Sequence, residues 1–107
     1  MRIGRVIGSV TLNRKLASMP AGRLLMVDAL DAQALAGVEK QSPRKNPMGE
    51  SLVVFDELGA GVGQLIAISE GREACSPFWP KHVPLDAYCA ALIDTIQTEE
   101  MKAGLNA

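Results

Sequence analysis

The residues best suited to binding a ligand lie in one glycine-rich segment, Gly59-Ala60-Gly61-Val62-Gly63. Glycine lets backbone N–H groups approach a phosphate closely, so the segment is compatible with an anion site. A dinucleotide-binding motif needs a different glycine spacing followed by a helix, and a P-loop needs lysine followed by serine or threonine. The observed spacing, with a β-prone run after it, is more typical of a strand connection whose glycines adopt positive φ.

Four carboxylates could in principle supply acid-base chemistry: Asp56, Glu57, Asp86 and Asp94. Such catalysis needs two carboxyl groups held in different environments, and nothing in the spacing fixes a pair. Each lies at a strand end or turn, where aspartate commonly accepts hydrogen bonds from the local backbone. With a single histidine and no nucleophile motif, a catalytic triad cannot be assembled either. We therefore expect no catalytic residue and no enzymatic activity.

His82 and the two cysteines on either side of it, Cys75 and Cys89, could in principle form a metal site. Their spacing matches no zinc-ligand pattern, so we predict neither a metal nor a cofactor. The cysteines also form no C-x-x-C motif, which indicates free thiols in a reducing compartment.

Phe78 and Trp79, between Pro77 and Pro80, are the aromatic residues most open to interpretation. They either cap the fold or form an exposed anchor for a neighbouring molecule. Charge does not identify that neighbour, because 11 basic and 12 acidic residues give a formal net charge of −1. This balance provides no bulk attraction for nucleic acid or an anionic membrane, and no apolar stretch is long enough to cross a bilayer. We expect a cytoplasmic protein without nucleic-acid or membrane partners.

Short β-prone runs separated by glycine and proline must position these residues. The runs are residues 1–12, 23–30, 51–56 and 64–69. Residues 37–50 contain two prolines among basic and amide side chains, which predicts a mobile, solvated loop. This pattern predicts one small all-β barrel or sandwich, and 107 residues suit a single domain.

The last segment, residues 85–96, is ambiguous. Five apolar residues fall at helical spacing: Leu85, Cys89, Leu92, Ile93 and Ile96. Part of the same segment also alternates in a way that suits a strand. Periodicity alone favours a helix.

Four short motifs occur in an informative order. They are MRIGRVIGSV (1–10), RLLMV (23–27), VFDELGAGVGQLI (54–66) and the interval from PLDA to LID (84–94). Together they resemble the EutN/CcmL family, the pentameric vertex proteins of bacterial microcompartment shells. The third motif is the most specific, because it is similar to the family's D-x-x-G-A-G-x-G-[EQ] block. The loop with Phe78 and Trp79 departs from the family pattern.

The resemblance implies a fold as well as a function. It implies one domain, residues 1–107, folded as a five-stranded OB-like β-barrel and assembled as a cyclic homopentamer. It also implies that residues 87–94 are the closing strand, against the helical spacing. Any helix would then be confined to a short tail within residues 95–107.

The implied function is structural: the pentamer would cap the five-fold vertices of a microcompartment shell beside hexameric shell proteins. The Gly59, Ala60, Gly61, Val62 and Gly63 loop would line a narrow pore on the five-fold axis, where larger side chains would clash. Residues assigned to a possible subunit interface are Phe78, Trp79, Asp56 and Asp86. The alternative is a monomeric OB-like module for single-stranded nucleic acid or a small ligand, which the few aromatic residues and the missing basic stripe disfavour.

Overall fold

Five β-strands form a closed barrel in the computed structural model, which describes residues 1–36 and 49–98. The strands are β1 (Arg2–Val10), β2 (Arg23–Ala29), β3 (Ser51–Asp56), β4 (Leu65–Glu70) and β5 (Ala87–Ile93). Their order around the barrel is β1-β2-β3-β5-β4, and β4 pairs with β1 to close it. Every neighbouring pair is antiparallel except β3 and β5, which are parallel. The predicted five-stranded barrel is confirmed.

Alternating apolar side chains build the core inside the barrel. Along β2, for example, Leu25, Val27 and Ala29 are buried while the residues between them are partly exposed. This period of two is what a strand with one buried face requires. The buried cluster is completed by Val6, Val54, Ala60, Ile66, Ile68, Ala87 and Cys89.

The ambiguous C-terminal segment is a strand, so the helical spacing was misleading and the family resemblance was correct. β5 pairs with β4 from Leu65 opposite Ile93 to Glu70 opposite Ala87. The register shifts between Ala67 and Ile68, where a bulge interrupts the ladder. A bulge adds one residue to one strand and breaks the two-residue alternation, which is why the sequence pattern was unclear.

Two helices were not predicted: α1 (Ala32–Ala36) and α2 (Arg72–Cys75), the second followed by a 3-10 turn over Ser76–Phe78. The predicted mobile loop falls mostly on residues 37–48 and the predicted helical tail mostly on residues 99–107, both outside the described residues. Residues 95–98 adopt no regular secondary structure. No helix within the described ranges is long and apolar enough to span a membrane.

Candidate functional site

The glycine loop, residues 57–63, joins β3 to β4 and wraps around the carboxylate of Asp56. Asp56 is the last residue of β3 and is only 1% exposed. Its Oδ1 accepts a hydrogen bond from the N–H of Leu58 at 2.9 Å, and its Oδ2 accepts from the N–H groups of Gly59 at 3.0 Å and Ala60 at 2.8 Å. Successive N–H groups converging on one point form an anion-binding nest. Here the protein's own carboxylate occupies that nest, so this part of the loop is not a site for an external phosphate.

The second half of the loop is held by β1 and by its own glutamine. The N–H of Gly61 donates to Gln64 Oε1 at 2.6 Å, and the N–H of Gly63 donates to the carbonyl of Val6 at 2.8 Å. Gly59 and Gly63 have φ of 88° and 94°, a region that side-chain-bearing residues rarely adopt. The interpretation as a strand connection that uses positive φ is therefore confirmed at these two positions.

Two arginines from neighbouring strands hold the loop, one at its middle and one at its end. Arg23 on β2 donates to the carbonyl of Ala60 at 3.0 Å, and its Nη1 lies 3.7 Å from Asp56 Oδ2. Arg5 on β1 donates to the carbonyl of Gly63 at 2.9 Å. Sequence reasoning missed both, because contacts across 37 and 58 residues leave no local signal. The loop is consequently a fixed feature of the barrel surface.

The tip of the loop, after the exposed Glu57, presents apolar side chains outward. Ala60 is buried in the core cluster, whereas Val62 is 75% exposed and Leu58 is half exposed. An exposed valine at the tip, flanked by glycines, gives a surface with little steric bulk and no charge. Such a surface suits contact with another backbone better than it suits catalysis.

The remaining predicted carboxylates do not form a reactive pair. Glu57 accepts a hydrogen bond from the Tyr88 hydroxyl at 2.8 Å, and this bond raises the pKa of Tyr88. Asp86 is exposed, and its backbone carbonyl accepts from the N–H of Gly71. The Asp56 carboxylate is buried beneath the glycine loop, and a part for Asp56 in a subunit interface stays a prediction.

The two cysteines occupy different environments, and both are free thiols. The Cys75 thiol donates to the carbonyls of Leu85 at 3.1 Å and Val83 at 3.4 Å. Cys89 is buried, and burial together with the nearby Asp56 carboxylate raises the pKa of its thiol to about 11. His82 is exposed. Within the described ranges, no three histidine, cysteine or acidic side chains cluster as metal ligands would.

Phe78 and Trp79 lie in different environments: Phe78 caps the fold and Trp79 is exposed. Phe78 packs edge-on against Phe55 and Tyr88, with ring centroids 5.7 and 5.8 Å apart, and so caps one end of the barrel. Trp79 is 78% exposed. Trp79 therefore provides the exposed aromatic surface of this connection.

Comparison with known proteins identifies the family. Residues 1–94 match the family model described as ethanolamine utilisation protein EutN/carboxysome. The chain belongs to the EutN/CcmL family. It is 31% identical over 98 residues to the bacterial microcompartment shell vertex protein GrpN of Rhodospirillum rubrum, covering 92% of this chain and 98% of that relative. It is also 32% identical over 99 residues to the carboxysome shell vertex protein CcmL of Synechococcus elongatus, covering 92% and 89% of the two chains.

Solved structures of this family share the barrel. GrpN of Rhodospirillum rubrum, described as a pentameric microcompartment shell protein, superposes with a TM-score of 0.70 over 92% of this chain and 99% of its own. CcmL of Gloeobacter violaceus superposes with a TM-score of 0.75 at 29% identity, over 94% and 92% of the two chains. The resemblance drawn from the sequence motifs is confirmed, and the relatives' names are those of structural proteins rather than enzymes.

Proposed function

We propose that this chain is a vertex subunit of a bacterial microcompartment shell and assembles as a homopentamer. The observation that carries this proposal is its match, in sequence and in fold, to a pentameric shell protein over nearly the full length of both chains. The protein is a structural component and not an enzyme. It belongs to a shell inside the bacterial cytoplasm.

The function is geometric. Flat sheets of six-fold shell proteins cannot close into a polyhedron, and a five-fold ring at each corner supplies the missing curvature. A cyclic ring uses head-to-tail contacts, so each subunit presents two different complementary patches whose angle sets the number at which the ring closes. A stable contact of this kind buries on the order of 800 Å² per partner.

The native mass of the purified protein tests the assembly. Each chain has a mass of 11.4 kDa, so native mass spectrometry should give a particle of five chains. A stable single chain, or a ring of a number of chains other than five, would contradict the proposal. Affinity of a single chain for single-stranded oligonucleotides would favour the alternative OB-like binding module, which the net charge of −1 and the shell-protein relatives disfavour.

The same proposal assigns the glycine loop to the five-fold axis, with the loop lining a narrow pore. Gly61 supports this placement. Its φ is outside the left-handed region, and an added Cβ would meet only Gln64 Oε1, at 3.8 Å. The protomer by itself therefore tolerates a side chain at Gly61. The missing side chain is explained if the loop approaches its copies closely around an axis.

Replacing Gly61 by leucine tests the placement. We expect Gly61→Leu to fold as a barrel but to dissociate at protomer concentrations where the parent chain is a pentamer, as measured by native mass spectrometry and circular dichroism. The matched control is Gly49→Leu, because Gly49 is exposed and an added Cβ there meets no atom within 4 Å. An intact pentamer in the Gly61 variant, or equal dissociation of both variants, would contradict the placement.

We further propose that the ring's partners are hexameric shell proteins, whose sheets it would close. Relatives named as shell vertex proteins support this partner class. Mixing the purified ring with hexameric shell protein should convert open sheets or tubes into closed polyhedra, as seen by electron microscopy. Unchanged sheets at saturating ring concentration would contradict the partnership.

A further inference from the structure

A second surface, well away in sequence from the glycine loop, lies in the connection between β4 and β5. The Trp79 patch, as we name it, comprises Arg72, Ser76, Trp79, Lys81 and His82, which line a shallow depression of about 720 Å³. Trp79 is 78% exposed, which is unusual for the largest apolar side chain. An exposed tryptophan beside arginine has the composition of a binding hot spot.

The patch is held in one shape by the barrel beneath it. Phe78 is wedged against Phe55 and Tyr88, and this contact fixes the backbone from which the next side chain projects. The N–H of Trp79 donates to the carbonyl of Ser76 at 3.2 Å, and that of Lys81 donates to the carbonyl of Phe78 at 2.8 Å. A preorganised surface loses little conformational entropy when a partner binds.

The patch carries positive charge on a molecule whose net charge is −1. Arg72 and Lys81 are exposed and form no ion pair with any residue in the described ranges. Of the described residues that line the depression, none is a carboxylate. Cations left unpaired around an aromatic ring complement a ligand with carboxylates beside an apolar group.

We propose that the Trp79 patch binds an acidic segment of a partner protein. An apolar or planar side chain of that segment packs on the Trp79 indole, and its carboxylates meet Arg72 and Lys81. A peptide fits better than nucleic acid, because a single strand needs a run of cations and several stacking rings along its backbone. This inference does not depend on the five-fold ring.

Accessibility of the patch in the native assembly is tested first. Trp79 is the only tryptophan in the chain, so acrylamide quenching of tryptophan fluorescence reports on this patch alone. We expect efficient quenching and a red-shifted emission in the native particle. A shielded, blue-shifted tryptophan would overturn the proposal by assigning the patch to contacts between copies of the chain.

Binding is then tested with a fluorescein-labelled peptide of glutamate interspersed with leucine, by fluorescence anisotropy at low salt. The expected result is that Arg72→Glu with Lys81→Glu weakens binding about tenfold, whereas the matched reversal Arg14→Glu with Lys15→Glu changes it less than about twofold. Trp79→Ala should also weaken binding. Circular dichroism and native mass establish that each variant is folded and assembled as the parent is.

Three outcomes of the binding measurement would also overturn the proposal. They are absence of binding to the parent protein, equal weakening in both double variants, and equal affinity for the same peptide with lysine in place of glutamate. A thymidine oligonucleotide that binds more tightly than the peptide, with the same dependence on Arg72 and Lys81, would instead assign the patch to nucleic acid.

Discussion

At the scale of single residues, Asp56 organises the part of the chain that carries the family motif. Burying a carboxylate is costly unless charge-assisted hydrogen bonds replace its water. Asp56 obtains three such bonds from the loop that follows it, and Arg23 lies close enough to offset part of its charge. The glycines around it have a related role, because the chain can fold back onto the carboxylate only if Gly59 adopts positive φ.

Removing this carboxylate should destabilise the barrel. Asp56→Ala leaves three N–H groups without their acceptor, and we expect it to lower the free energy of unfolding by about 2–4 kcal/mol. The measurement is urea unfolding at one fixed protomer concentration, since assembly contributes to apparent stability. Asp86→Ala removes the same charge from an exposed side chain and should change stability by less than about 0.5 kcal/mol. Similar losses in the two variants would show that Asp56 has no such role.

Cys89 makes the free energy of unfolding depend on pH in the alkaline range. The pKa of its thiol is raised from about 9 to about 11, because burial and the Asp56 carboxylate disfavour the thiolate. The unfolded chain therefore loses this proton at lower pH than the folded chain does. Its contribution to stability is present below pH 9 and is lost as pH rises through about 11. The pKa of Tyr88 is raised as well, so its contribution has the same sign.

Urea unfolding at a series of pH values tests this dependence. The free energy of unfolding should fall between pH 9 and pH 11, and it should fall less steeply in Cys89→Ala than in the parent chain. Cys75→Ala is the control for loss of a thiol and should keep the parent slope. If both cysteine variants show the parent slope, Cys89 does not contribute to the pH dependence.

At the scale of elements, local sequence patterns predicted the positions of four of the five strands. The runs at β1 to β4 alternate or are β-branched, and turn residues bound them, so their positions follow from the residues alone. The position of β5 does not follow from its residues alone. The bulge opposite Ala67 and Ile68 breaks the alternation of β5 and leaves apolar residues at the spacing of a helix. α2 has only four residues, too few to show a helical period. For the candidate site, the spacing of the glycines predicted a strand connection with positive φ, but the contacts of Arg5 and Arg23 depend on the closed barrel.

The β1 strand contains two glycines with different roles, which a pair of variants can separate. An added Cβ at Gly4 would collide with Val27 Cγ1 and lie 2.9 Å from Ile68 Cδ1, whereas at Gly8 its nearest neighbour is Met26 Cβ at 3.9 Å. Gly4→Ala should therefore lower the free energy of unfolding by about 1–3 kcal/mol, as overpacking does. Gly8→Ala should change it by less than about 0.5 kcal/mol. Thermal unfolding of both variants measures the difference. Equal changes in the free energy of unfolding would show that the barrel accommodates a Cβ at Gly4.

At the scale of the whole molecule, the barrel is closed most weakly between β3 and β5. The register of this parallel seam consists of one described pair, Phe55 opposite Tyr88, whereas β4 and β5 pair along six positions. Side chains reinforce it, because the rings of Phe55 and Tyr88 stack 6.2 Å apart and Phe78 packs edge-on against both. The connection between β4 and β5 thus contributes to closure through Phe78, while its neighbour Trp79 faces solvent.

Truncating these adjacent aromatics one at a time should separate closure from binding. Phe78→Ala removes a half-buried ring from the seam, and we expect a loss of about 2 kcal/mol in the free energy of unfolding. Faster amide hydrogen exchange in β3 and β5 than in β1 and β2 should accompany it, because local opening begins where pairing is weakest. Trp79→Ala should leave both stability and exchange near the parent values, since its side chain is 78% exposed. If Trp79→Ala opened the seam as much as Phe78→Ala does, Trp79 would be part of barrel closure and not a free binding surface.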